Sequence, residues 1–251
     1  MYQGKRLAVV VPAYNEEALI SETLRNMPDG ADCIYVIDDA STDATRDIVR
    51  TLEDERITLL CNHRNLGVGG AIITGYKYAL DEDLDIMVVM AGDNQMDAQY
   101  LPALLAPVVS GEADYAKGNR LSRPAYRKGM SAWRFFGNWM LTMLTRIASG
   151  YWRIGDPQNG YTAITRETLE KIDLDSIYST WGYCNDLLVK LNITDCRVVD
   201  VPIPARYGRE KSKINYTGYI CRVSLLLLLR CFLYRIWLKY LRRRKTAIRP
   251  A

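Results

Sequence analysis

Ile86-Met-Val-Val-Met90 runs directly into Ala91-Gly-Asp-Asn-Gln-Met-Asp97, an apolar stretch that ends in small residues and acids. A short uninterrupted apolar run fits a strand covered on both faces, the strand type of a parallel sheet flanked by helices. At its end stand a carboxylate, Asp93, and an amide, Gln95. Both offer hard oxygen atoms of the kind that Mg2+ or Mn2+ takes, and such a cation commonly also holds phosphate. Asp93 and Gln95 are therefore the candidate metal ligands.

Working outward, three similar units precede this one. Arg6-Leu-Ala-Val-Val-Val11 is broken by Pro12, Cys33-Ile-Tyr-Val-Ile37 ends in Asp38-Asp39-Ala-Ser-Thr-Asp43, and Ile57 to Cys61 ends in Asn62-His-Arg-Asn-Leu-Gly67. Each is followed by a predicted helix. The first is capped by Asn15 and carries Leu19, Ile20, Leu24 and Met27 on one face, the second runs to about Glu53, and the third opens at Gly67-Val-Gly-Gly70 and runs to about Leu80. Four strand–helix alternations predict an α/β fold with a mostly parallel sheet and right-handed crossovers. Ligands of such sheets lie beyond the carboxyl ends of the strands. Pro12 to Glu16, Asp38-Asp39, Asn65 to Gly70 and Asp93 to Gln95 are thus expected along one rim. A dinucleotide fold would place its glycines in the first strand–helix turn, which here reads Pro-Ala-Tyr-Asn-Glu-Glu, and the phosphate loop Gly-x4-Gly-Lys-Ser/Thr does not occur.

The chain of 251 residues suits one domain with additions. Its six cysteines show no metal or redox spacing and read as reduced, packed thiols of a cytosolic protein. His63 is the only histidine, and no nucleophile-elbow pattern accompanies it, so a Ser-His-Asp hydrolase is set aside. Charge divides the chain. From Ala205 onward 13 Lys/Arg face one acid, Glu210, leaving 20 basic and 28 acidic residues before it.

Taken together and in order, Val10-Val-Pro-Ala-Tyr-Asn-Glu-Glu17, Ile37-Asp-Asp-Ala-Ser-Thr-Asp43, Asn65-Leu-Gly-Val-Gly-Gly70, Gly92-Asp-Asn-Gln-Met-Asp97 and Gly118-Asn-Arg120 resemble family 2 glycosyltransferases of the GT-A fold. In pattern the chain is most similar to the polyprenyl- or dolichyl-phosphate sugar synthases. The resemblance implies that Pro12, Tyr14, Glu16, Asp38, Asp39 and Gly67, with Asp93, hold the nucleotide-sugar donor. It makes Asp93 the second acid of the family's Asp-x-Asp, whose first position is Ala91 here, with Gln95 as a further ligand of Mg2+ or Mn2+. Asp97 is expected to cap the helix through Val109.

The same resemblance assigns Arg120 and Arg134 to the acceptor phosphate, with Asp156-Pro-Gln-Asn-Gly160, including Gln158, as the turn under the reaction centre. Arg206, Ser212 and Lys213 match the segment that closes over phosphate, with Arg209 as the alternative to Arg206. Asp186 sits on a helix begun by Trp181 where relatives carry an acid. The expected activity is inverting transfer of one sugar from a nucleotide-sugar, UDP- favoured and GDP- possible, to polyprenyl or dolichyl phosphate. Transfer to a sugar hydroxyl, with Asp186 as base, is the alternative enzyme, and a membrane-bound nucleotide-sugar sensor is the non-catalytic one. Residues 1–213 are expected to form the transferase domain and 214–251 a basic amphipathic helical tail. Trp133 to Arg146 and Tyr219 to Tyr240 are too charged to span a bilayer, but leucines, aromatics and Leu241-Arg-Arg-Arg-Lys245 suit an anionic interface. This predicts a peripheral or monotopic protein at the cytoplasmic face of a membrane. Nucleic acid is not an expected partner, because the cations sit beside leucines and no binding motif is present.

Overall fold

The computed structural model describes residues 1–127, 130–206 and 216–242. Seven strands, β1 (Leu7–Ala13), β2 (Cys33–Asp38), β3 (Ile57–Cys61), β4 (Ile86–Val89), β5 (Tyr115–Asn119), β6 (Thr162–Thr165) and β7 (Val198–Pro202), form one sheet in the order β3-β2-β1-β4-β6-β5-β7. The β3-β2-β1-β4 half is parallel, as expected from its four apolar runs. β6 is antiparallel to both β4 and β5, while β7 returns parallel to β5. Sequence order runs outward from β1 on one side and jumps to β4 on the other. The crevice beyond β1 and β4 is thus the switch point at which such sheets bind ligands.

Period-two alternation along β1 sends its side chains to two cores. Leu7, Val9 and Val11 join Ile20 and Leu24 of α1 (Ile20–Arg25), Val49 of α2 (Thr45–Arg50) and Leu101, Leu104 and Leu105 of the later helix α4 (Leu101–Val109). Ala8 and Val10 face Ala71, Ile72 and Tyr76 of α3 (Gly67–Asp81), a core completed by Leu187, Leu188 and Leu191 of α7 (Tyr183–Ile193). Two local readings turn out differently. Asn15 does not cap α1; it takes φ +53° and accepts a hydrogen bond from the Thr42 N–H at 2.8 Å, and the helix starts five residues later. Asp97 does cap, accepting from the Gln99 N–H at 3.0 Å ahead of a 3-10 turn that leads into α4.

The long helix α5 (Ala132–Ser149), the short α6 (Arg166–Glu170) and α7 are followed by α8 (Tyr216–Leu225), which continues through π-helical turns and α9 (Leu233–Ile236) to Arg242. This last segment is seated on the domain. Val223, Leu226, Leu227 and Cys231 share a core with Leu141 and Ala148 of α5 and Val189 of α7. Two of its cations donate to carbonyls in the last turns of helices, where the negative end of the helix dipole favours them. Arg235 Nε donates to Ala148 O at 2.7 Å and Nη2 to Ile147 O at 3.0 Å, and Lys239 Nζ donates to Asn192 O at 2.7 Å. Part of the basic balance is therefore spent inside the molecule. Leu225, Leu233 and Trp237 stay on the surface at 59%, 56% and 52% exposure, and Arg243 to Lys245 lie outside the described residues. Among the described residues no helix is long and apolar enough to cross a membrane. None of the six cysteines is in a disulfide; Cys61 and Cys221 are exposed rather than packed, while burial pushes the Cys184 thiol up to about 11.

Candidate active site

The loops at the switch point are tied to one another by backbone. The Gly92 N–H donates to Pro12 O at 3.1 Å and the Asp39 N–H to Ala13 O at 2.8 Å, so the end of β1 is gripped between the loops that follow β4 and β2. Asp38 and Asp39 are both buried but differ in use. Oδ2 of Asp38 accepts from Arg46 Nε at 2.5 Å and the Ser41 N–H at 3.2 Å, while Oδ1 has no partner among the described residues. Asp39 is engaged through both oxygens, by Asn62 Nδ2 and the Leu66 N–H on Oδ1 and by the Gly67 N–H on Oδ2. It shapes the 62–67 loop. The glycines of that loop serve close packing: a Cβ on Gly69 would lie 2.6 Å from Tyr178 O, and Gly67, at φ +82°, abuts Ser179 and Thr180. Tyr14 is 38% exposed on the same rim, and the backbone N–H of Glu16 is anchored to Thr45 Oγ1 at 2.8 Å.

After β4, Asp93 and Gln95 are half-buried in one turn, in which the Gln95 N–H donates to Asp93 Oδ1 at 3.1 Å and Asn94 takes φ +57°. Among the described residues no three His, Cys, Asp or Glu side chains are grouped so as to hold a metal ion. One carboxylate and one amide are nevertheless a fitting protein share for Mg2+ or Mn2+, which commonly completes its shell with water and substrate phosphate. The turn is joined to the second half of the sheet. Tyr161 donates from its hydroxyl to Asp97 O at 3.3 Å, a Cβ on Gly160 would lie 3.3 Å from Met96, and Arg206 Nη1 stands 3.9 Å from Asp97 Oδ2.

In that second half the expected phosphate ligands are found paired. Arg120 grips Asp156 in a fork, Nε to Oδ2 at 2.7 Å and Nη2 to Oδ1 at 3.0 Å, and its backbone N–H adds a third contact at 3.1 Å. Burial pushes the Asp156 carboxyl up, but the charge and hydrogen bonds of Arg120 and the nearby Lys117 outweigh it and leave it below the ordinary value. Gln158, in the same turn, has neither amide atom hydrogen-bonded among the described residues. Asp186 is 1% exposed; it accepts from the Tyr178 N–H at 2.8 Å and from Cys231 Sγ at 3.4 Å, and Lys190 Nζ lies 3.7 Å away. That carboxylate holds a loop and the C-terminal segment to α7. Helix α5 carries Arg134, whose side chain lies outside the described residues, as do Ser212, Lys213 and Arg209.

The model of the family described as Glycosyl transferase family 2 matches residues 8–173, from β1 through the Asp156 turn and β6. The chain belongs to glycosyl transferase family 2. This glycosyltransferase is 28% identical over 218 residues to the UDP-N-acetylglucosamine–dolichyl-phosphate N-acetylglucosaminyltransferase of Methanococcus voltae, covering 81% of this chain and 86% of that one. It is 32% identical over 208 residues to the undecaprenyl-phosphate mannosyltransferase of Micrococcus luteus, covering 79% and 82%. Glucosyl-3-phosphoglycerate synthase from Mycobacterium tuberculosis, solved with Mn2+, UDP and glucosyl-3-phosphoglycerate, superposes with a TM-score of 0.69 at 21% identity over 91% of this chain and 80% of that one. That likeness is one of fold, and it agrees with the expected GT-A architecture.

Lys117 and Asp200 are the pair that sequence reasoning missed. Lys117 is fully buried, donates to the carbonyls of Gly118 and Asp156, and lies 3.3 Å from Asp200 Oδ1. Oδ2 of Asp200 in turn accepts from Asn119 Nδ2 and the Gly155 N–H. A signal existed: Tyr115-Ala-Lys-Gly-Asn119 and Val198-Val-Asp-Val-Pro202 each carry one charge, of opposite sign, at the centre of an uncharged run, and the two are register partners.

Proposed function

We propose that this glycosyltransferase moves one sugar, with inversion, from a nucleotide-sugar to a polyprenyl phosphate at the cytoplasmic face of a membrane. The carrying observation is the convergence of the Asp93–Gln95 turn, the Asp156–Gly160 turn and Arg206 on one rim, joined through Asp97. The named relatives support this reading, since they act on dolichyl and undecaprenyl phosphate. UDP is favoured as the nucleotide because one relative takes a UDP-sugar and the solved neighbour binds UDP.

On this reading the exposed Tyr14 faces the nucleotide, and buried Asp38, which accepts from Arg46 and the Ser41 N–H, fixes the loop after β2 that shapes the nucleotide pocket. Mg2+ or Mn2+, held by Asp93 and Gln95, would neutralise the departing diphosphate. The acceptor phosphate, with a second pKa near ~6, already carries the attacking oxygen as an anion. No general base is required, which agrees with the sealed position of Asp186. Arg134 and Arg206, with Ser212 and Lys213, are assigned to the acceptor phosphate, and Arg120 contributes by fixing the Asp156–Gly160 turn. Orientation and fixed charge then carry the rate.

The test is transfer from a panel of UDP- and GDP-sugars to a short-chain polyprenyl phosphate in the presence of Mn2+ or Mg2+, with the anomeric configuration of the product determined by NMR. Formation of an inverted polyprenyl-phosphate sugar from one donor is the expected result. Transfer to a sugar hydroxyl and not to lipid phosphate would overturn it.

A further inference from the structure

α5 turns a row of large apolar side chains outward. Trp133, Phe136 and Trp139 are 59%, 51% and 52% exposed, and Met143 and Ile147 continue the row at helical spacing. The rings stack on one another at 6.1 Å and 6.2 Å. A contiguous apolar row of this kind marks an interaction surface rather than ordinary surface scatter. Trp139 and Met143 also form one wall of a cleft of about 350 Å³ whose other side holds Ser122, Arg127, Arg146 and Arg153, and among the described residues no acid lines it. The cleft opens onto the row. Its arginines are set in place: Arg146 Nε donates to Ile154 O at 2.7 Å, and Arg127 stacks over the Phe135 ring at 4.6 Å with its buried Nε lacking any partner among the described residues. Arg153 is exposed at the mouth.

Three described cations with no described acid among them complement an anion, and an aromatic row beside them complements the headgroup–acyl boundary of a bilayer. The tail cations Arg235 and Lys239 are turned inward on helix ends, so they do not supply this complementarity. We propose that α5 is the face on which the protein sits on an anionic membrane, and that the cleft between Arg127, Arg146 and Arg153 seats the phosphate of an anionic phospholipid headgroup. The aromatic row lies in the interface and the cleft fixes the rotation of the protein about α5. This deepens the membrane part of the reading above and is independent of which sugar is moved.

The experiment is co-flotation of the full chain with vesicles of phosphatidylcholine alone or mixed with phosphatidylglycerol, at low and high salt, for wild type, Arg153→Glu and Phe136→Ala. Both substituted side chains are exposed, and neither belongs to the transfer machinery. Wild type should float with the anionic vesicles. Arg153→Glu should weaken that binding about 25-fold at low salt and less at high salt, since it removes a cation and adds an acid, each worth roughly a fivefold factor that salt screens. Phe136→Ala should weaken it similarly at both salts, because burial of the ring is not screened. Transfer to a short-chain acceptor in solution is measured in parallel: its absence in wild type would defeat the proposed activity without touching the flotation result. Flotation of both variants like wild type would overturn the docking face. It would equally be overturned if farnesyl phosphate in solution quenched Trp139 fluorescence in an Arg153-dependent way that phosphatidylglycerol could not displace, because the cleft would then be the acceptor seat.

Discussion

At the end of β2, Asp38 and Asp39 are buried against an arginine and a set of loop N–H groups, and one carboxylate oxygen is left over; around β5 and β7, Asp156 and Asp200 are matched with Arg120 and Lys117. The first arrangement shapes loops and leaves a buried acceptor atom, Asp38 Oδ1, without a partner among the described residues. The second closes its charges on each other and yields a rigid frame between strands and the 156–160 turn. On the function proposed above, the contrast says where contact with substrate would come from: on the donor side from half-buried acids such as Asp93, on the acceptor side from rim cations such as Arg206 that the frame does not consume.

The sharpest way to break this contrast is Asp93→Ala. If the donor-side acids serve substrate rather than the fold, transfer falls by on the order of a thousandfold, while the thermal midpoint stays near wild type, as for most half-exposed polar positions. Gln95→Ala should lose about tenfold, as the weaker ligand. Wild-type turnover in Asp93→Ala at saturating Mn2+ would remove the metal assignment.

Arg120→Ala makes the opposite case. It leaves Asp156, fully buried, without its main cation, and breaking a buried pair from one side costs about 3–5 kcal/mol. The sign with pH follows from the lowered Asp156 carboxyl: its contribution is complete above the unfolded value near 3.8 and is lost as pH falls through the lower folded value. Wild type should therefore shed this stability only in strong acid, and Asp156→Asn, destabilised at neutral pH, should show less of that acid-dependent loss. Equilibrium denaturation at neutral and acid pH reads both. Should Arg120→Ala abolish transfer with stability intact, the pair belongs to the substrate site after all.

A third measurement asks whether the C-terminal segment is part of the same frame. Leu227 is fully buried among Leu141, Val189 and Val223, so Leu227→Ala should cost about 2–4 kcal/mol by urea denaturation. A detached membrane-bound tail would make the substitution silent in solution. Truncation after Ser212, which removes that core, is likewise expected to lower the melting point.

The parallel half of the fold was legible because its strands are buried on both faces and advertise themselves as unbroken apolar runs such as Leu7–Val11 and Ile86–Val89. β6, Thr162-Ala-Ile-Thr165, is four residues long with two threonines, too short for any period to show, and its antiparallel place depends on partners far away in sequence. The Asp93 turn could be read for the same reason as β4, since it interrupts an apolar run. What could not be read is who pairs with whom. Arg120 and Asp156 each stand in a motif of the family pattern, yet only the placement of β5 against the 156–160 turn shows that they hold each other. Likewise Arg235 and Lys239 look like interface cations in a string of leucines, and only the helix ends beneath them reveal their caps.

Those two caps give the smallest effect and the finest test. Both place a cation on the C-terminal carbonyls of a helix, but in different surroundings. Arg235 is 9% exposed and spans two carbonyls at the end of α5, so Arg235→Ala should cost about 1–2 kcal/mol, at the upper end for a partly buried cation at a helix C-terminus. Lys239 is 18% exposed and divides its ammonium between Asn192, at the end of α7, and Asp195, itself 53% exposed. Water screens that ion pair, so only the carbonyl contact counts in full and Lys239→Ala should cost about 0.5–1 kcal/mol. Salt separates them further: raising ionic strength should shrink the Lys239→Ala difference and leave that of Arg235→Ala largely in place. Calorimetry of both variants at low and high salt measures this directly. Equal, salt-insensitive losses would mean that the segment is held at both points by packing alone, and the inward use of tail charge would no longer distinguish this end of the molecule from the donor rim.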